Sequence, residues 1–385
     1  MCEAKAWDTA VTGLPFGGVN VIFTGDFRQL PPVTSYSLFS YKLVNALRAD
    51  VTETYDRQAA LHGAYLWRQV NQVVELRKNF RAAGDPRFIN LLQRIRAGIG
   101  YKGIASLSVE QQGVGENYNQ SDFDVLNERR ADVLSNRGYD IADLFKDAPI
   151  VVSKKATRDR LNHEIASDFA KRSNRDLHIY HSRDSVKQQA LTRIKRQLTW
   201  QIGVNISGDH IGLLPLVPGM KVTITDNAAV SARIVNGSEG TLWDITYNTD
   251  SNGLRFAVCA YVHIPGCGLQ ISGLAFEVVP ILPIKTAFVY APRHVTSEAS
   301  VGESGKCNIV HSQLPLLPAY AFIDYKIQGH SLDRVIIDLH SCRTLQSAYV
   351  MLSRARSLEG ILIMRFFKPD MIYRTLSEQF RTEFR

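Results

Sequence analysis

Along this chain the spacing of apolar residues changes period repeatedly, and each change marks an element. Val19-Asn20-Val21-Ile22-Phe23-Thr24 is an apolar run that ends in Gly25-Asp26, followed by Arg28-Gln29 and the double proline Pro31-Pro32. A run of this kind reads as a buried strand handing polar side chains to a sheet edge, where α/β enzymes bind nucleotides. Residues 1–18 read as a helix tail and a Gly-rich turn. Residues 38–70 follow helical spacing, with Leu43, Leu47, Leu61, Tyr65 and Trp67 as core positions. Val73-Val74-Glu75-Leu76 is a short strand, and the basic turn Arg77-Lys78-Asn79-Phe80-Arg81 follows it. Helical spacing returns over 86–97, placing Phe88, Leu91, Leu92 and Ile95 inside.

The stretch 101–147 carries five basic and nine acidic residues and reads as an irregular surface segment with a short helix near 122–134. A buried strand follows at Ala148–Ser153, then a helix with Lys154, Lys155, Arg158 and Arg160 on one side. From 210 to 290 the pattern is all-β, punctuated by turn signals at Val235-Asn236-Gly237-Ser238 and Ser251-Asn252-Gly253. Residues 291–312 form a polar linker. A strand at 334–339, a helix at about 344–353 and a strand at 360–366 restore α/β character. Two α/β parts thus flank a β module, with no internal repeat.

Composition refines this picture only modestly. Hydrophobic residues make up 45% and charged residues 21% of 385, the balance of a globular protein long enough for more than one domain. Net charge is +8, a lean toward polyanions shared by many proteins that bind none. The five cysteines are scattered and odd in number, which favours a reducing, intracellular setting over a disulfide framework. Cys259, His263 and Cys267 are regularly spaced but lack the tight pairs and fourth ligand of a zinc site, so no metal is expected on them. No apolar run reaches membrane-spanning length.

Five motifs, in order, carry a family resemblance. Gly25-Asp26-Phe27-Arg28-Gln29-Leu30-Pro31-Pro32-Val33 resembles the third motif of Pif-type (petite-integration-frequency) DNA helicases of superfamily one. Leu76–Arg81 resembles the fourth. Gly219–Asn227 with Val235–Gly240 resembles the start of the family's SH3-like insert. Ala319–Leu332 is similar to the fifth motif and Ser347–Gly360 to the sixth. The wording of Pro315–Tyr325 is similar to helicases of Helitron-type transposons.

The resemblance implies an α/β fold with an incomplete first RecA-like domain (1–70). A second RecA-like P-loop-NTPase-type domain (71–205 and 310–385) carries an SH3-like β insert and linker (206–309). It implies ATP hydrolysis with Mg²⁺, coupled to 5′-to-3′ movement on single-stranded DNA and to unwinding at duplex junctions. A nuclear location follows for a eukaryotic chain, with the mitochondrion as alternative and repair, recombination, telomere maintenance or transposition as settings. Gln29, Arg81 and Arg354 take catalytic roles: Gln29 senses the γ-phosphate, and the two guanidiniums offset transition-state charge. Gly25, Asp26 and Gly329 join them around the nucleotide. Lys326, Gln328, His330 and Ser331 contact DNA phosphates, with Tyr325 and Trp243 as aromatic candidates by type. Taken singly, each arginine is equally a surface arginine, Gln29 a turn residue, and each aromatic a packing residue. The basic clusters 154–160, 171–175 and 193–196 suit either a DNA path or a solvated helix face.

The chain departs from the family pattern in places. Ile327 replaces a small polar residue and His330 a Gln. The phosphate-loop pattern G-x-x-x-x-G-K-[ST] does not occur, and Gly302-Glu303-Ser304-Gly305-Lys306-Cys307 has the wrong spacing for it. The acidic Asp-Glu pair of the second motif is also absent. The expectation is a C-terminal helicase portion that does not hydrolyse ATP alone, or a non-catalytic DNA-binding remnant of a transposon helicase.

Overall fold

The fold comes from a computed structural model, which describes residues 15–33, 37–40, 55–76, 78–100, 120–186, 189–207, 209–290 and 307–383. The expected helix tail at the start, the core positions Leu43 and Leu47, the basic Arg77, the first part of the acidic stretch and the Gly302–Lys306 segment lie outside the described residues.

Among the described residues, the helices of eight or more residues are α1 (Tyr55–Arg68), α2 (Pro86–Ala97), α3 (Lys155–Arg172), α4 (Arg193–Trp200) and α5 (Leu345–Leu352). The strands are β1 (Ile150–Val152), β2 (His178–His181), β3 (Arg183–Val186), β4 (Gln189–Ala190), β5 (Leu213–Leu216), β6 (Lys221–Ile224), β7 (Glu239–Thr249) and β8 (Arg255–His263). After them come β9 (Val278–Ile281), β10 (Ile284–Tyr290), β11 (Cys307–Gln313), β12 (Leu316–Pro318), β13 (Ala321–Ile323), β14 (Val335–Ile337) and β15 (Ile361–Ile363). The chain divides into two compact units, one of 1–144, 328–334 and 342–385 and one of 145–327 and 335–341.

The first unit is mainly helical. Asp85 caps α2 by accepting the Phe88 N–H at 2.9 Å, Pro86 opens the helix, and Gly98 closes it in the left-handed region. Phe88, Leu91, Leu92 and Ile95 are all buried, as the helical spacing requires, and α2 packs on α5. The second Asp85 oxygen accepts the Leu358 N–H at 2.9 Å, so one side chain fixes both the start of α2 and the chain beyond α5.

Three sequence expectations fail in this unit. Val19–Thr24 and Val73–Leu76 run without strand pairing, and their apolar side chains stand in solvent, Ile22 at 88% and Leu76 at 91% exposure. A strand needs a backbone partner and a covering layer; among the described residues of this unit, β15 is the one strand. Tyr65, expected inside, is 63% exposed, and Ala64 and Leu66 are buried instead.

The second unit holds the sheets. β13, β1 and β14 are parallel, with Val152 opposite Ile323. The helix α3 packs on β13 and β1. From α3, Asn162 Oδ1 accepts the Ala321 N–H at 2.8 Å while its Nδ2 donates to the Ala321 carbonyl, satisfying the backbone of β13. A second sheet runs β10-β11-β3-β4, antiparallel throughout. The largest has seven strands in the order β12-β6-β7-β8-β2-β5, with β9 on β8. Its core includes Leu214, Leu216, Met220, Leu242, Ala260 and Val262, none with measurable exposure.

Both predicted turns form: Gly237 and Gly253 take positive φ of 100° and 78°, and Asp250 Oδ1 accepts the Asn252 and Leu254 N–H groups. The β region extends beyond the expected 210–290, because β2, β3, β11 and β12 join it. His-Ile-Tyr-His and Arg-Asp-Ser-Val carry too little apolar alternation to announce strands, and only pairing makes them so.

Candidate functional site

Seven of the residues expected around the nucleotide or on the DNA lie in the first unit and meet one another: Asp26, Gln29, Arg81, Gln328, Gly329, Ser331 and Arg354. Local chemistry sets the first of them. After Gly25 the chain turns, with the Gln29 N–H on the Asp26 carbonyl at 3.0 Å and the Arg28 N–H on Asp26 Oδ1 at 3.0 Å. Both Asp26 oxygens are taken by Arg96 of α2, at 3.1 and 3.3 Å, a two-point carboxylate–guanidinium contact. Burial works against the Arg96 charge, but the Asp26 hydrogen bond and charge, with Tyr349 and Glu75, offset it and the net shift is upward. Arg96 was not among the sequence candidates. Gly25 itself has open space where a side chain would sit.

Gln29 extends from this turn toward Gln328, whose Nε2 donates to Gln29 Oε1 at 3.0 Å. The amide group of Gln29 faces Asp26 Oδ2 at 3.5 Å. Arg81 leaves a turn held by Asn79, whose Oδ1 accepts the N–H groups of Arg81 and Ala82 at 3.0 and 3.2 Å. Its guanidinium spreads over the 328–331 loop and the end of α5. Nε donates to Ser331 Oγ at 2.7 Å, one terminal nitrogen to the Ser353 carbonyl at 3.0 Å, and the other to the Gly329 carbonyl at 3.5 Å. Gly329 is fixed at φ 94°, a backbone shape that favours glycine.

Arg354 follows α5 and is 2% exposed. It donates to the Val350 carbonyl at 2.8 Å and to Ser353 Oγ at 2.7 Å, and forms no ion pair with any described residue. Burial, and then the neighbouring Arg81 charge, lower its pKa to about 10. Arg81 is lowered by burial as well. Burial raises the Tyr349 phenol, and the Asp26 charge adds to that. Two guanidiniums and a carboxamide thus share the first unit with one carboxylate, Asp26, whose charge acts on Arg354. Phe80, next to Arg81, is exposed with the Lys78 ammonium 4.8 Å from its ring centre, a further feature that sequence alone did not single out.

The remaining candidates lie elsewhere. His330 is exposed in the same loop. Lys326 is in the second unit, where it donates to Asn236 Oδ1 and burial lowers its pKa. Trp243 stands 60% exposed at a bulge between Leu242 and Asp244 of β7, and Tyr325 is 38% exposed, so neither is a core residue. In the cluster at 154–160, Arg158 is buried and paired with Asp159 and Asp209 rather than solvated.

The donor set fits phosphate oxygens: permanently charged, planar guanidiniums with a neutral amide beside them. It does not fit Mg²⁺. Asp26 is the one carboxylate in the set and is committed to Arg96, and no cluster of metal-ligand side chains occurs among the described residues.

This arrangement sits in a mixed α/β fold with a parallel sheet, similar to the RecA-like fold of solved Pif1 helicases. The solved Pif1 helicase from Bacteroides with ADP-AlF3 and single-stranded DNA superposes with a TM-score of 0.56 at 21% identity, over 96% of this chain and 67% of that one. A Pif1 structure solved for unwinding at forked duplex DNA gives 0.58 at 20% identity, over 96% and 66%. Residues 4–102 match the family model described as PIF1-like helicase. The ATP-dependent DNA helicase PIF1 of Mus musculus is 28% identical over 356 residues, 91% of this chain and 41% of that protein. This chain is therefore similar to Pif1 helicases over 91% of its length and spans 41% of that curated relative. No helix among the described residues is long and apolar enough to cross a membrane.

Proposed function

We propose that this chain carries the arginine-and-glutamine face of the ATP site and part of the single-strand track of a Pif1-type 5′-to-3′ DNA helicase. The observation that carries the reading is Arg354, a buried cation that pairs with no described carboxylate and lies beside Arg81. An uncompensated buried charge is costly unless a ligand supplies its counter-charge, and a γ-phosphate does so most fully as charge develops in the transition state. The proposed layout is a first RecA-like domain over 1–70, a second over 71–205 and 310–385, and the SH3-like module between them. The proposed compartment is the nucleus or mitochondrion.

The geometry supports a coupling. Gln29 Oε1, the atom suited to orient an attacking water, accepts from Gln328, and three Arg81 donors are held by Ser331, Ser353 and Gly329. A phosphate that draws Arg81 away releases Ser331 and the Gly329 carbonyl. Motion of the 328–331 loop on DNA in turn frees the Gln29 carbonyl. Nucleotide and strand then favour each other's binding.

The sequence holds no phosphate-loop lysine and no Asp-Glu pair, and those groups cradle the phosphates, bind Mg²⁺ and activate water. The full chain, assayed with Mg-ATP and single-stranded DNA, is expected to bind the strand without turnover. Hydrolysis at a motor's rate that disappears in Arg354→Ala would sink the prediction of inactivity.

A further inference from the structure

In the second unit, β1 and β13 run parallel and end side by side, so the residues after each emerge at one edge of the sheet. Lys154 and Lys155 follow β1; Tyr325 and Lys326 follow β13. A carboxylate from a distant part of the sequence is set among these cations. Asp209 Oδ2 lies 2.9 Å from Lys155 Nζ, and Oδ1 lies 2.9 Å from an Arg158 terminal nitrogen. Its backbone takes φ 73°, a left-handed conformation that Asp tolerates better than most residues. Burial disfavours the Asp209 charge, yet Lys155 and Arg158 outweigh it and hold the carboxyl below its ordinary range, so it stays ionised. The charge of Asp209 also acts on Lys326.

The two partners of Asp209 differ in access. The Arg158 side chain is 4% exposed and structural, whereas Lys155 and Asp209 are each about a quarter exposed. Carboxylate and phosphate oxygens both accept charge-assisted hydrogen bonds from an ammonium group. The geometry points to Asp209 as an internal competitor for a single-strand phosphate: it occupies the cation that the strand would use, and so limits DNA affinity at the Lys155–Lys326 edge. Tyr325, exposed at the same edge, supplies the aromatic face that single-strand binders pair with cations. The inference rests on the reading that this chain binds single-stranded DNA.

The test uses the full chain and a fluorescent oligo-dT, with anisotropy measured across a salt series. Asp209→Asn keeps an acceptor for Arg158 and a residue suited to positive φ, but removes the charge. It is expected to bind the oligonucleotide about two- to fivefold more tightly at moderate salt, the scale of a partly exposed ion pair. Its log affinity should fall more steeply with log salt, by roughly 0.7 for one added phosphate contact on a single strand. Adding Lys155→Gln to that variant should return the slope to the unmodified value or below. Lys155→Gln alone, which leaves the Arg158–Asp209 pair in place, should bind no more tightly than the unmodified chain, and this holds the test open if Asp209→Asn unfolds. An unchanged slope in Asp209→Asn, or tighter binding in Lys155→Gln alone, overturns the inference while strand binding stands. Absence of salt-dependent binding in the unmodified chain removes the underlying reading and the inference together.

Discussion

At the scale of single residues the chain is organised around charges that lack, or are given, a counter-charge. Asp26 is matched by Arg96, and Arg158 by Asp159 and Asp209. Arg354, like Arg81 beside it, pairs with no described carboxylate. Its pKa of about 10 measures how far burial and Arg81 disfavour its charge, and guanidinium stays protonated at neutral pH regardless. On the proposed reading, a bound anion relieves this penalty. Stabilisation by a ligand grows with its concentration over its dissociation constant, so tripolyphosphate should raise the thermal midpoint of the unmodified chain. Arg354→Met replaces the buried cation by an apolar side chain of similar reach. It is expected to leave the ligand-free midpoint equal or higher and to abolish the rise with tripolyphosphate, both followed by scanning calorimetry. A ligand-free midpoint lowered by several degrees would mean that Arg354 is a structural residue whose hydrogen bonds to Val350 and Ser353 outweigh its burial.

At the scale of elements, the loop 328–331 ties Gln29 and Arg81 together, and Gly329 sets its shape. A Cβ at Gly329 meets nothing within 4 Å, so Gly329→Ala tests backbone shape alone. Holding Ala in a left-handed conformation costs about 1–2 kcal/mol. Urea unfolding should register a loss of that size, or the loop should relax and Arg81 lose its acceptors, in which case tripolyphosphate binding changes while stability does not. A variant indistinguishable from the unmodified chain in both measurements would exclude a role for the Gly329 turn. What the sequence revealed about such elements depended on how local their cause is. The helix α2 was legible because its apolar period, the Asp85-Pro86 start and the Gly98 stop all lie within a short stretch. Val19–Thr24 was misread because apolar character predicts a strand only when a neighbour pairs with it. Motif wording singles out Gln29, Arg81 and Arg354, and the structure places all three in one unit. Arg96 and Asp209 were not, since their partners, Asp26 and Lys155, are distant in sequence and nothing local marks the pairing.

At the scale of the whole molecule, the fifth motif is shared between the two units. The chain passes from one to the other between Ile327 and Gln328. Lys326, with Tyr325 before it, belongs to the unit that bears the basic sheet edge, while Gln328, Gly329 and Ser331 belong to the unit that bears Gln29, Arg81 and Arg354. The proposed strand contacts and the proposed phosphate contacts are thus joined by one continuous peptide, the shortest covalent route for the proposed coupling. Coupling between two ligands is reciprocal and commonly amounts to about 5–150-fold. Inserting Gly-Gly between Ile327 and Gln328 slackens the route without removing any contacting side chain. Oligo-dT and tripolyphosphate should each bind the inserted chain within about threefold of the unmodified one, since a short flexible insertion costs little. Their mutual enhancement, measured by titrating each in the presence of the other, should fall toward unity. Enhancement that survives the insertion would show that the two sites communicate by packing elsewhere, and that the Gln29–Gln328 contact reports on the nucleotide side alone.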